Sequence, residues 1–146
     1  MYKRILCTLD GSELAERALP HALAMAKAFS ASLVVLRVVE PPPPPILPDI
    51  AAVELQVLPE LMTVAQEYVD KKATALAKEG VDVTGAVVEG RAAETIASYA
   101  QEQGVDLIVM ATHGRSGLSR WAFGSVADRV LRLASCPVLL VRARRR

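Results

Sequence analysis

Leu107-Ile-Val-Met-Ala-Thr-His-Gly-Arg-Ser-Gly-Leu-Ser-Arg-Trp-Ala-Phe-Gly-Ser-Val-Ala-Asp-Arg-Val-Leu-Arg-Leu-Ala134 joins two kinds of periodicity through a glycine-rich loop. Leu107 to Ala111 is a short apolar run of strand character. From Val126 to Ala134 the apolar residues Val126, Val130, Leu131 and Ala134 alternate with Asp128, Arg129 and Arg132 at helical spacing. The loop therefore ends at a helix N-terminus, where unpaired backbone N–H groups and the positive end of the helix dipole stabilise an anion. Gly124 permits φ > 0 or a close backbone approach, and the Ser125 hydroxyl can cap the helix or donate to a phosphate oxygen. Read from the residues alone, the stretch is either an anion-binding loop or a structural glycine-rich loop.

The same strand-to-helix alternation runs outward through the chain as β-α-β-α-β-α-β-α-β. Arg4 to Leu9 reads as the first strand, and Asp10-Gly11-Ser12 as a turn into a helix reaching about Phe29, with Ser12 as N-cap and Pro20 expected to kink or locally break it. Leu33 to Val39 is a strand, and Pro41 to Pro45 impose a polyproline segment. The stretch from Ile46 to about Pro59 mixes helical spacing with Pro48 and Pro59, so a flexible loop over about 41–59 with one helical turn is expected. A helix from about Glu60 to Lys78, a strand from Val81 to Val88, a helix from Ala92 to Gln103, the strand Leu107 to Ala111, the helix Val126 to Ala134 and a last strand Val138 to Val141 follow. Such alternation predicts a parallel sheet with helices on both faces, and the chain shows no internal repeat or interdomain linker. Ligands of such sheets sit beyond the carboxyl ends of the strands. That rule selects Asp10, Val38 to Glu40, Gly90-Arg91 and Ala111 to Gly114; Asp10 and the Ala111 to Ser125 stretch share one crevice if strands one and four are neighbours.

Composition narrows the function classes. At 146 residues and 52% hydrophobic content the chain forms one domain with a sizeable core, and a net charge of +1 gives no general attraction to nucleic acid or an acidic membrane. The arginine-rich end, Arg142 and Arg144 to Arg146, reads as a solvated basic tail. No apolar run is long enough for a membrane span and no signal-peptide pattern opens the chain, so the cytoplasm is the expected compartment. Cys7 and Cys136 flank or enter apolar strands, which favours reduced thiols, and neither has a CxxC partner that would suggest zinc. GxxxxGK[ST] is absent, as is GxGxxG after the first strand, so a Walker-type NTPase or a common dinucleotide dehydrogenase is disfavoured.

From end to end the chain resembles the universal stress protein family. The resemblance is carried by Ile5-Leu-Cys-Thr-Leu-Asp-Gly-Ser-Glu-Leu-Ala-Glu-Arg-Ala-Leu19, Asp106-Leu-Ile-Val-Met-Ala-Thr-His-Gly-Arg-Ser-Gly117, Gly124-Ser-Val-Ala-Asp128 and Cys136-Pro-Val-Leu-Leu-Val141. It implies a single Rossmann-like α/β domain of the adenine nucleotide alpha hydrolase-like kind, with a five-stranded parallel sheet in the order 3-2-1-4-5. ATP-binding members of the family carry Gly-x2-Gly-x9-Gly-[Ser/Thr]. Here the second and third glycines are Gly114 and Gly124 and the hydroxyl residue is Ser125; the first position is Ala111, whose methyl group fits a close approach but not a required φ > 0.

By the same resemblance Asp10 lies beside ribose and phosphates and helps hold Mg2+ or Mn2+, Val38 offers main-chain groups to the adenine edge, and Met110 lines the pocket. Thr8, Ala111, His113, Gly114, Arg115, Gly124, Ser125 and Val126 complete the implied nucleotide site, with His113 shaping the phosphate loop rather than acting as a base. Trp121 and Phe123 are expected to pack that loop on the domain. The implied ligand is ATP or another adenine nucleotide, and the implied role regulatory or protective, without a base for rapid hydrolysis. Slow hydrolysis or self-phosphorylation on Ser116 or Ser119 is one alternative; a nucleotide-free dimeric interaction module, favoured by Ala111, is another. The strand Val138 to Val141 is expected at a sheet edge, and the resemblance implies a homodimer through it.

Overall fold

The computed structural model describes residues 1–42, 48–114 and 124–144, with side chains for 1–42, 57–112 and 124–142. Five strands, β1 (Arg4–Leu9), β2 (Ser32–Val39), β3 (Val83–Glu89), β4 (Leu107–Gly114) and β5 (Val138–Arg144), form one parallel sheet in the order β3-β2-β1-β4-β5. Its helices are α1 (Glu13–Glu16), α2 (Leu19–Phe29), α3 (Pro48–Ala77), α4 (Ala92–Glu102) and α5 (Ser125–Leu133). The expected fold class and strand order are those observed.

Strand periodicity decides which helix covers which face. Ile5, Cys7, Leu33, Val35 and Val109 point one way and pack on Ala22 and Ala26 of α2 and Val69 of α3. Their neighbours Leu6, Val34, Leu36, Ile108 and Met110 point the other way, onto Ile96 and Ala100 of α4 and Ala127 and Val130 of α5. Because both faces are covered, β1 and β2 read as nearly continuous apolar runs rather than alternating ones. Among the described residues no helix is long and apolar enough to cross a membrane.

The helix after β1 is locally broken, as Pro20 suggested: it stops at Glu16 and restarts at Leu19, and Pro20 stands in the first turn of α2, where a missing N–H removes no helical bond. Two other expectations about the helices and strand ends need correction. The stretch 48–59 is not a loop with one turn. Helix α3 starts at Pro48 and passes through Pro59, where the Thr63 hydroxyl donates to the Pro59 carbonyl at 3.0 Å. Residues 43–47, which include most of the expected polyproline segment, lie outside the described residues. Finally, β5 does not end at Val141. Thr112, His113 and Gly114 pair with Arg142, Ala143 and Arg144, so most of the basic tail belongs to a strand, and Arg145 and Arg146 lie outside the described residues.

No disulfide links the cysteines. Cys7 is fully buried in β1, and that burial pushes its thiol up to about 12; burial also raises the half-buried Cys136. A thiolate is the reactive form. Titration of the native protein at pH 8 with an aromatic disulfide reagent is therefore expected to modify at most Cys136, with Cys7 reacting only after denaturation; rapid modification of both in the folded state would contradict this placement.

Candidate functional site

The helices that follow β1 pack on one face of the sheet and the helix that follows β4 on the other, although β1 and β4 are adjacent. Chain direction thus diverges between these two strands, and a crevice opens at their carboxyl ends. A cleft lies there, lined by Thr8, Asp10 and Ser12 from β1 and its turn, Leu36 and Val38 from β2, Met110, Ala111 and Thr112 from β4, and Gly124, Val126 and Ala127 at the start of α5. Ala92 and Ile96 of α4 and Leu14 and Ala15 of α1 close its sides.

Asp10 is exposed at the cleft rim, and its Oδ1 accepts the Ser12 N–H at 2.8 Å. Its other oxygen accepts no hydrogen bond among the described residues, which leaves one acceptor open. Ser12 caps α1 as expected, its Oγ accepting the Ala15 N–H at 3.1 Å. At α4 the Glu40 carboxylate takes the Ala92 N–H at 3.2 Å. By contrast α5 has no side-chain cap: Gly124 is its N-cap, at φ +94°, and the first helical bond runs from the Asp128 N–H to the Gly124 carbonyl at 3.0 Å. The N–H groups of Ser125, Val126 and Ala127 precede that bond and have no partner within the helix. They supply the cleft with an electropositive, hydrogen-bonding end suited to an oxyanion. The opposite end, formed by Leu36, Val38, Ile96 and Met110, is apolar and suited to a flat ring.

Of the residues expected at a nucleotide site, Thr8, Asp10, Val38, Met110, Ala111, Gly124 and Val126 converge on this one cleft. Ser125 does not line it; the residue is exposed in the first turn of α5, and Gly124 takes the capping position. Gly114 ends β4, paired with Arg144, instead of lying in the loop. The His113 backbone is in β4, whereas its side chain lies outside what is described, as do Arg115, Ser116, Gly117, Ser119, Trp121 and Phe123.

Ala111 pairs with Val141 in the sheet, and among the described residues Ser30 is the one non-glycine residue with positive φ. The backbone at position 111 thus makes no demand that alanine fails to meet. Ala111→Gly is accordingly expected to change nucleotide affinity by less than about threefold while lowering stability by about 0.5–1 kcal/mol, because glycine weakens a strand. Calorimetric titration beside urea denaturation checks both numbers; binding that appears only in the glycine variant would show the methyl to be an obstruction.

Sequence reasoning missed Leu36, Ala92, Ile96 and Ala127 as lining residues, whereas Thr112 falls within the selected strand end. Ala92 and Ile96 share one face of α4 at i, i+4 spacing, a signal that marks a buried face without saying that the face borders a cleft.

Comparisons with known proteins agree with this architecture. The family model described as the universal stress protein family matches residues 1–142. Universal stress protein MJ0531 of Methanocaldococcus jannaschii is 38% identical over 143 residues, which cover 97% of this chain and 83% of that protein. The solved structure of MJ0577, from the same organism, superposes with a TM-score of 0.83 at 29% identity, covering 100% of this chain and 99% of the other. A universal stress protein solved in complex with cAMP shares the fold, with a TM-score of 0.69 at 24% identity over 98% of both chains. With the strand order, the glycine at the start of α5 and a family match that spans nearly every residue, the chain belongs to the universal stress protein family.

Proposed function

We propose that this chain binds an adenine nucleotide, ATP with Mg2+ or Mn2+, in the cleft between β1 and β4, and serves as a regulatory or protective module with little or slow hydrolysis. The observation that carries the proposal is the convergence of Thr8, Asp10, Val38, Met110, Ala111, Gly124 and Val126 on one cleft with an apolar end and an uncapped helix end. In this arrangement the base lies against Val38 and Met110, the ribose beside Asp10, and the phosphates before the N–H groups of α5. The fold is compatible with that ligand class, since the family member solved with cAMP holds an adenine nucleotide.

The donor set fits a metal carried by the nucleotide. No group of three or more His, Cys, Asp or Glu gathers among the described residues, but Asp10 offers one unengaged carboxylate oxygen at the cleft. Mg2+ is commonly held by one or two carboxylates together with substrate phosphates and water. When bound, the cation neutralises phosphate charge; the chain's part is to aim Asp10 at it. Asp10 is also the one titratable group among the described lining residues.

A homodimer through β5 is part of the same proposal. β5 is the outer strand of the described sheet next to β4, and an uncovered strand edge is a ready template for pairing with a second copy. Light scattering after size exclusion tests it: a mass of two chains that falls to one on Leu139→Pro supports β5 pairing, and a monomer throughout overturns it.

For the nucleotide, the test is calorimetric titration of the purified chain with ATP and Mg2+. Saturable binding of one nucleotide per chain supports the reading, whereas no heat at millimolar ATP rejects it.

A further inference from the structure

Behind the Asp10 turn, on the side away from the cleft, stands a cluster of polar residues that the nucleotide site does not use. Arg37 leaves β2 between Leu36 and Val38, so it projects from the opposite face of the sheet. Its guanidinium carbon lies over the Tyr68 ring of α3, 5.4 Å from the centroid. It also meets the turn itself: a Cβ built on Gly11 would stand 3.1 Å from Nη2 and 3.2 Å from Cζ. Gly11 is also at φ +89°, so glycine is needed there for the backbone conformation, and a side chain at that position would press on the flat cation. Among the described residues Arg37 makes no hydrogen bond or ion pair.

The same tyrosine reaches the far end of the segment. Tyr68 donates its hydroxyl proton to Glu16 Oε2 at 2.8 Å, and Lys72 donates to Glu16 Oε1 at 2.6 Å. The Lys72 hydrogen bond is the main reason the Glu16 carboxyl lies below the usual carboxylate range. The segment that carries Asp10 and Ser12 is therefore held at two points: at Gly11 by Arg37 of β2, which lies over Tyr68 of α3, and at Glu16 by Tyr68 and Lys72 of α3. A half-buried guanidinium with no carboxylate partner is an expensive way to fill space. Its planar form, however, lets it lie between an aromatic ring and a backbone turn in a way that an aliphatic side chain or a lysine does not reproduce.

We propose that Arg37 and Tyr68 are positioning residues for nucleotide binding: the guanidinium, held between the Tyr68 ring and Gly11, fixes the turn from which Asp10 addresses the nucleotide. The proposal rests on the nucleotide reading above. It makes α3 a support for the site, although no described residue of α3 lines the cleft. A turn held in its bound geometry spends less of the binding energy on ordering.

The test is a double-mutant cycle on ATP affinity, with wild type, Arg37→Met, Asp10→Asn and the double variant titrated by calorimetry in Mg2+. Arg37→Met is expected to weaken binding about tenfold when Asp10 is intact but less than about twofold when Asp10→Asn is already present, because groups that act as a unit are not additive. Tyr68→Leu is expected to behave like Arg37→Met, whereas Tyr68→Phe, which keeps the ring, stays within about threefold of wild type. Equal losses with and without Asp10→Asn, or no loss at all, would overturn the proposal. Amide exchange in the nucleotide-free protein gives a second readout, since the Ser12 and Ala15 N–H groups bond within the turn. Arg37→Met should speed their exchange about tenfold while leaving the Val109 amide in the sheet unchanged, a local rather than global opening; unchanged exchange at Ser12 and Ala15 would remove Arg37 from the role. If wild type binds no nucleotide, the reading of the cleft fails, and the exchange data alone decide whether Arg37 and Tyr68 hold the turn.

Discussion

Asp10→Ala is expected to weaken ATP binding by about thirtyfold, corresponding to about 2 kcal/mol, while shifting the unfolding midpoint little. The carboxylate sits at the rim with one oxygen engaged by the Ser12 N–H at 2.8 Å and the other without a hydrogen bond among the described residues. A charge-assisted hydrogen bond to a ribose hydroxyl, or a contact to a nucleotide-borne cation, depends on that second oxygen. Asp10→Asn separates its two jobs. The amide oxygen can still accept from Ser12, so the turn persists, but the negative charge is gone. Affinity that falls in both variants, and further in alanine, assigns the main effect to the charge and the remainder to the turn. Unchanged affinity in both would place the nucleotide elsewhere. Calorimetry at fixed Mg2+ measures the loss, and urea denaturation confirms that stability is retained.

Ile108→Ala is expected to lower the unfolding free energy by about 3–4 kcal/mol, the upper part of the range for a buried aliphatic truncated to alanine. Ile108 is 0% exposed, stands in register with Leu6 on β1 and Val138 on β5, and packs in the core beneath α4 and α5. A central strand of a sheet covered on both faces cannot collapse easily around the missing atoms, so a cavity remains. For a domain whose total stability is of order 5–15 kcal/mol this is a large fraction. Ile108→Val, which removes one carbon, should lose only about 1 kcal/mol. Equilibrium denaturation with an unchanged m value is the measurement; a loss below about 1 kcal/mol for the alanine variant would show that Ile108 of β4 is not part of the core described here.

Much of this molecule was legible from short-range pattern. Arg4 to Leu9 is both the expected and the observed first strand, and Ser12 caps α1 as its position after a turn suggested. Where pattern failed, a longer-range or backbone effect was responsible. β4 extends beyond Ala111 because Thr112 to Gly114 find hydrogen-bonding partners on β5, and hydrophobicity does not register pairing with a distant strand. The prolines at 48 and 59 suggested a loop, yet one begins α3 and the other is accommodated within it. At the site, Asp10, Val38 and Ala111 were legible because strand ends collect ligands in this topology, whereas Met110 came from the family resemblance. Leu36, Ile96 and Ala127 were not, since an apolar wall of a cleft has the same composition as a core. Nor was the support from α3: Tyr68 and Lys72 reach Glu16 across 52 and 56 residues of chain, a separation at which local periodicity carries no information.

Occupancy of the crevice between β1 and β4 by an adenine nucleotide is the central claim. The most direct measurement is an amide chemical-shift titration of the isotope-labelled protein with ATP and Mg2+, because it reports binding and location together. Saturating shifts centred on Asp10, Val38, Ala111, Gly124 and Val126, with little change at Asp82 and Glu102 on distant surfaces, are the predicted result. No shifts at millimolar ATP, or shifts clustered away from the carboxyl ends of β1 and β4, would contradict it.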